Sequence, residues 1–122
     1  EAAAAEQREL EQTAMAAGTV FYFDFDSSVL KPEAQQALDA HIALLRTNDE
    51  SIRLEGHTDE RGTRDYNMAL GERRANGVRD YMVVNGIASY RIETISYGEE
   101  KPVAYGSGEA NWSQNRRVEL VK

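Results

Sequence analysis

The sequence predicts an α/β domain, an α+β sandwich whose mixed four-stranded sheet carries its helices on one face. Three observations lead there. Short runs rich in aromatic and β-branched residues alternate with longer amphipathic runs of helical period, in the order β-α-β-α-β-β. Strands separated by helices imply right-handed crossovers, which stack the helices on the sheet. At 122 residues the chain suits one domain with a core of its own.

Residues 1–18, EAAAAEQRELEQTAMAAG, are rich in Ala, Glu and Gln and nearly free of bulky apolar side chains. Leu10 and Met15 cannot anchor them alone. They read as an Ala/Glu-rich tether, partly helical or disordered, ending at Gly18: either a spacer from an anchor or a frayed terminus. The folded domain spans 19–122. Its first strand is TVFYFDF, Thr19 to Phe25, with Phe21, Phe23 and Phe25 on one face. Pro32 suits a first helical turn and Glu33 complements the N-terminal dipole, so a helix runs from about Pro32 to Arg46. Ala34, Ala37, Leu38, His41, Ile42 and Leu45 form its inner stripe. His41 reads as a satisfied core or boundary residue, because no second metal-type residue is spaced with it.

The second strand is IRLEGH, Ile52 to His57, in which Gly56 marks a close backbone approach. The polar loop TDERGT follows, and Thr63 is the N-cap of a long helix that stops at Asn85-Gly86. Ile92 to Tyr97 is the third strand. A long loop with a short helix around Glu109 to Ser113 leads to the last strand, Arg116 to Val121.

Composition removes several function classes. A net charge of −7 and a pI near 4.8 argue against nucleic acid and against an anionic membrane surface. The absence of cysteine excludes disulfides, thiolate metal sites and a cysteine nucleophile. No apolar run approaches the roughly 18 residues of a membrane span. The sequence opens on Glu1 rather than Met, so a signal or anchor segment is expected upstream.

The long helix carries an arginine in an unusual place. At about 100° per residue, Leu70, Tyr81, Arg74, Asn67, Val78 and Gly71 share a sector of roughly 100°, the apolar stripe. Arg73, Glu72, Asn76, Arg79 and Asp80 fall outside it. A guanidinium on a buried face keeps its charge, so it needs a carboxylate partner or a ligand. Asp59, in the turn before the helix, is the nearest counter-charge in sequence. Two readings stay open from the residues alone. Asp59 and Arg74 flank a site for a group carrying both an ammonium and a carboxylate, with Asn67 beside them, or they form an internal ion pair tying turn to helix.

Catalysis finds little support. His57, Asp59 and Glu60 lie too close in sequence to converge on a metal, and no metal site is expected. There is no nucleophile elbow, no P-loop and no dinucleotide fingerprint, so neither an enzyme nor a cofactor is expected.

FDFDSSVL, LEGHTDERGTRDYNMALGERRANGVRDY, ISYGEEKPV and NRRVEL resemble, in order, the OmpA-like C-terminal domain family over about Thr19 to Lys122. The family-wide pattern is the TD-x-x-G and N-x-x-L-x-x-x-RA spacing. TDERGT and YGEEKPV favour its peptidoglycan-associated branch over the porin-like and flagellar-stator relatives. The resemblance implies that Asp59 and Arg74 hold the diaminopimelate of a peptidoglycan stem peptide, whose side chain ends in an amino acid centre. By position Asn67 and Leu70 line that pocket, and Phe25 and Asp26 border it. Thr58, Arg61 and Thr63 are weaker candidates, and Asp26 reads equally as a loop cap. Arg116 and Arg117 lie near the pocket mouth or at a solvated strand end. The resemblance further implies a lipid-anchored protein on the periplasmic face of the outer membrane, held by an acylated cysteine upstream of Glu1. It also implies a role in envelope integrity and cell division, and a second partner, the propeller protein TolB of the Tol envelope system. Two positions depart from the family pattern: Gly77 stands where Ala is usual and Asp65 where Glu is usual, and neither is one of the paired charges.

Overall fold

A computed structural model describes residues 2–122; Glu1, the first residue of the expected tether, lies outside them. The elements are α1 (Ala2–Ala17), β1 (Val20–Tyr22), α2 (Pro32–Leu45), β2 (Ile52–His57), α3 (Arg64–Val84), β3 (Ile92–Gly98), α4 (Glu109–Asn115) and β4 (Arg117–Val121), with a 3₁₀ turn at Ser89–Arg91. Between helix and disorder, the N-terminal segment takes helix. High propensity supplies the helix, and its small side chains let it lie along α2 with Ala14 buried between them. Gly18 ends it at φ 81.

The sheet order is β1-β4-β2-β3. β2 and β3 are parallel, joined by the α3 crossover, while β4 enters antiparallel between β1 and β2. The last strand is thus internal and completes the mixed sheet. Even-numbered residues of β2 and β4 face the helices: Ile52, Leu54, Val118 and Leu120 join Phe21, Leu38, Ile42, Leu45, Val78 and Met82 in the core. Odd-numbered residues of both strands look out from the opposite face. Among the described residues no helix is long and apolar enough to cross a membrane.

The strand expected over Thr19–Phe25 is shorter than the alternation implied. Pairing with β4 ends at Tyr22, although Phe23 still donates its N–H to Arg116 O. Phe21 and Phe23 are buried, but Phe25 is 58% exposed, because the chain turns away from the sheet there and reaches φ 54 at Asp26. A left-handed backbone is tolerable for aspartate and releases the expected phenylalanine face.

Two contacts seat α3. Thr63 caps it, its hydroxyl accepting from Tyr66 N–H at 3.1 Å. Gly56 meets Gly71 backbone to backbone, so closely that a Cβ on Gly56 would lie 1.9 Å from the Gly71 carbonyl oxygen. The helix therefore lies flat on β2, and its inward side chains reach the end of the strand.

Candidate functional site

The end of β2, the turn after it and the first half of α3 enclose a cavity of about 190 Å³. Phe25, Asp26, Thr58, Asp59, Asn67, Leu70 and Arg74 all line it, together with Arg61, Gly62 and Tyr66. The fold thus brings the seven assigned positions to one place. Thr63 caps the helix and is outside the lining.

Arg74 is the deep wall, 0% exposed. Its Nε donates to Ser27 O at 2.8 Å, Nη1 to His57 O at 2.9 Å and Nη2 to Asp24 O at 3.1 Å. A guanidinium has five N–H donors, so one hydrogen on each Nη is left over. Among the described residues Arg74 forms no salt bridge, and the internal Asp59–Arg74 ion pair is absent. Burial pushes the Arg74 pKa down to about 10, with the charge of Asp59 pulling the other way, so the group is still cationic at neutral pH. The cation is held by carbonyl dipoles from three segments and has no neutralising partner in contact.

Asp59 takes its counter-charges elsewhere. Arg61 donates from Nη2 to Oδ2 at 2.7 Å, from Nε to Oδ1 at 3.2 Å and from its backbone N–H to Oδ1 at 3.0 Å. Arg116 Nη1 stands 3.7 Å from Oδ2, an ion pair beyond hydrogen-bond length. The carboxylate is 5% exposed. Burial pushes its pKa up, but the Arg61 hydrogen bonds and the charges of Arg61 and Arg116 outweigh that and hold it below the ordinary value. A carboxylate offers about four acceptor positions, and three are used, leaving one on Oδ2.

The remaining lining follows from these anchors. Asn67 gives both amide hydrogens away, to Arg61 O at 3.0 Å and Glu99 Oε1 at 2.8 Å, which leaves its carbonyl oxygen as an acceptor. Leu70 is buried and supplies an apolar surface. Thr58 bonds locally, its hydroxyl donating to Asp59 O at 3.0 Å. Asp26 accepts from the Tyr66 hydroxyl, which closes the rim across to α3. Phe25 lies over the Arg61 guanidinium at 3.8 Å, and Trp112 lies over it at 3.9 Å. Trp112 in turn donates to Glu60 Oε1 at 2.9 Å.

Arg116 and Arg117 are buried, so neither is a solvated strand end. Arg116 donates to Phe23 O at 2.8 Å and grips Glu109 with two bonds of 2.8 and 2.9 Å behind Asp59. Arg117 lies on the outer sheet face, bonded to Glu119 at 2.5 Å and to Lys101 O at 3.1 Å. Sequence reasoning missed Tyr66 and Trp112. Tyr66 is outside the inner stripe of α3, and Trp112 meets the 58–61 turn only through tertiary packing. The lining balances Asp26 and Asp59 against Arg61 and Arg74, with apolar surface between.

A mixed sheet with one helical face and a charge-balanced cavity at the β2–α3 junction defines a ligand-binding domain of the OmpA type. The chain belongs to the OmpA family, whose model matches residues 22–116. It is 58% identical over 112 residues to the peptidoglycan-associated lipoprotein of Pseudomonas putida, covering 92% of this chain and 68% of that one. It is 56% identical over 112 residues to that of Pseudomonas aeruginosa, covering 92% and 67%. Among solved structures it is similar to the peptidoglycan-associated lipoprotein from Burkholderia pseudomallei, with a TM-score of 0.84 and 44% identity over 86% of this chain and 90% of that one. The C-terminal domain of Helicobacter pylori MotB, at 21% identity and a TM-score of 0.75 over 83% and 81% of the two chains, shares the fold.

Proposed function

We propose that this domain binds peptidoglycan non-covalently through the meso-diaminopimelate of the stem peptide and so anchors the outer membrane to the cell wall, without catalysis. The relatives' name supports peptidoglycan association and a lipoprotein of the envelope. The observation that carries the finer reading is Arg74: a fully buried cation in a cavity wall, bonded to three carbonyls, with spare N–H groups and no carboxylate in contact among the described residues. A buried charge retained without a partner is poised for one that arrives with the ligand.

Diaminopimelate meets that need. Its side chain ends in a carbon bearing both an ammonium and a carboxylate. The carboxylate pairs with the spare Arg74 donors. The ammonium takes the open position on Asp59 Oδ2 and the carbonyl oxygen of Asn67. The methylenes run over Leu70 and under Phe25. Arg61 stays on Asp59 as a second cation, which keeps the carboxylate ionised and in place. Lysine at the same stem position carries the ammonium but no second carboxylate, and leaves Arg74 unpaired. On this reading the acylated anchor lies upstream of Glu1, and the helix α1 spaces the domain from it. TolB is the second partner, and the domain works in the Tol-Pal system of envelope integrity and cell division.

Calorimetric titration with two soluble stem peptides tests the ligand. The meso-diaminopimelate form binds, and the lysine form binds at least tenfold more weakly. Equal binding of the two, or no binding of the first, overturns the assignment.

A further inference from the structure

Away from that cavity one buried group stands without a partner. His57 is 2% exposed, and its Nδ1 and Nε2 are the buried side-chain polar atoms that, among the described residues, make no hydrogen bond. Leaving a buried polar group unsatisfied costs stability, and an ion is one of the few things that accounts for it. His57 points to the outer face of the sheet. Glu55, two residues earlier on β2, shares that face, and the register of β4 sets Glu119 directly opposite Glu55. One donor atom from each of the three lies within 4.8 Å of the others. His57 Nε2 is 3.9 Å from Glu119 Oε2, too far for a hydrogen bond.

We propose that Glu55, His57 and Glu119 form a binding site for a divalent transition-metal cation of the zinc class, on the sheet face opposite α3 and separate from the peptidoglycan cavity. An imidazole nitrogen and two carboxylate oxygens are a zinc donor set, with water as the fourth ligand. Two carboxylates supply negative charge for the ion, part of it already offset by Arg53 and Arg117. The imidazole excludes magnesium and calcium, which take oxygen donors.

The geometry needs only side-chain movement. Zinc–ligand bonds of about 2.0–2.1 Å place tetrahedral ligand atoms about 3.3 Å apart, so the carboxylates must close by up to about 1.5 Å. Glu119 is 30% exposed and Glu55 is 14% exposed, and neither has its whole carboxylate engaged. Arg53 takes Oε2 of Glu55 through Nε at 3.0 Å and Nη2 at 2.8 Å. Arg117 takes Oε2 of Glu119. Each carboxylate keeps acceptor positions beyond those the arginines use, and Glu119 Oε2, the oxygen nearest His57, is shared with Arg117. The two arginines orient the carboxylates as an outer layer of support. They also oppose the positive charge, so this site binds more weakly than a structural zinc centre. Tyr97 packs on the imidazole with ring centroids 5.5 Å apart.

The test is calorimetric titration of metal-free protein with zinc chloride, with the ¹⁵N shifts of the histidine rings followed by NMR. Wild type binds one zinc per chain, and a His57 ring nitrogen shifts. Glu55→Gln and Glu119→Gln, both on the solvent side of the sheet, keep the fold and weaken binding at least tenfold, while His41→Gln leaves it unchanged. No binding by folded wild type at millimolar zinc overturns the proposal. So do unchanged affinity in both glutamine variants and a titration that leaves the His57 ring unmoved.

Discussion

Gly56 and Gly71 touch backbone to backbone, and that contact sets the height of α3 above the sheet. One turn further along the helix, Arg74 reaches His57 O at the end of the same strand. A methyl on Gly56 meets the Gly71 carbonyl oxygen at 1.9 Å and its carbon at 2.7 Å, and backbone cannot step aside. Gly56→Ala therefore costs at least the upper end of ordinary overpacking, about 3 kcal/mol. A methyl on Gly71 first meets Ser96 Oγ at 2.3 Å, a side-chain tip that can rotate, with Gly56 O next at 3.1 Å. Gly71→Ala is the milder change. Urea midpoints for the two variants check the order, and the reverse order contradicts this account of the packing.

Gly77 is the opposite case. It lies in the interior of α3, and its added Cβ would meet only Ser28 O, at an ordinary 3.5 Å. Gly77→Ala should raise stability by up to about 1 kcal/mol through helix propensity. Thermal melting measures it.

Asp59 and Arg74 separate binding from folding to different degrees. Asp59→Asn keeps the shape of the side chain and removes the charge proposed to receive the ammonium, so stem-peptide affinity should fall at least tenfold with a modest loss of stability. Arg74→Lys keeps the charge, but an ammonium is a compact point donor and cannot span three carbonyls from separate segments. It should cost about 3 kcal/mol of stability or more, as buried acceptors go unpaired, and binding is lost with it. Paired unfolding and titration experiments distinguish the two.

Asp59 and His57 each contribute to the pH response. Asp59 is held below its ordinary value of 3.8, so the stability and affinity it contributes are fully present above that value and lost as the pH falls through its lower folded value. Stem-peptide affinity should be flat from pH 7 to pH 5. A fall over that range caused by Asp59 contradicts the geometry.

His57 behaves differently. Burial pushes its pKa from 6.5 down to about 4, with the charges of Arg117 and Lys101 acting the same way and Glu119 against them. The folded state then binds fewer protons than the unfolded one between those values. The contribution is present above about 6.5 and is lost as the pH falls toward 4. Stability in chelator-containing buffer should drop across that interval by up to about 1.4 kcal/mol per pH unit, and His57→Gln should lack that component.

Much of this is legible in the sequence. The period of α3 put Arg74 and Asn67 on the inward face, Thr63 and Asn85-Gly86 marked its ends, and Gly56 signalled the close approach. Strand alternation failed at Phe25 because a turn at Asp26 overrides it. The pairing of charges was least legible. Asp59 and Arg74 share a cavity, yet Asp59 is held by Arg61 two residues away and by Arg116 from the far end of the chain. Proximity in sequence left the ion pair open beside the ligand site; Arg61, and Arg116 behind it, take the carboxylate instead. The insertion of β4 brings Glu119 beside Glu55 and His57, which no spacing within one segment could show.

On the proposed function, Arg74 holds its charge for a carboxylate supplied by the ligand. The most direct test changes one group on that ligand: titration of wild-type protein with a stem peptide carrying free meso-diaminopimelate and with one whose side-chain carboxylate is amidated. The two have nearly the same shape and the same ammonium. The free acid should bind and the amide should lose at least tenfold in affinity; equal affinities would contradict the claim, because Arg74 would then be a structural cation and nothing more.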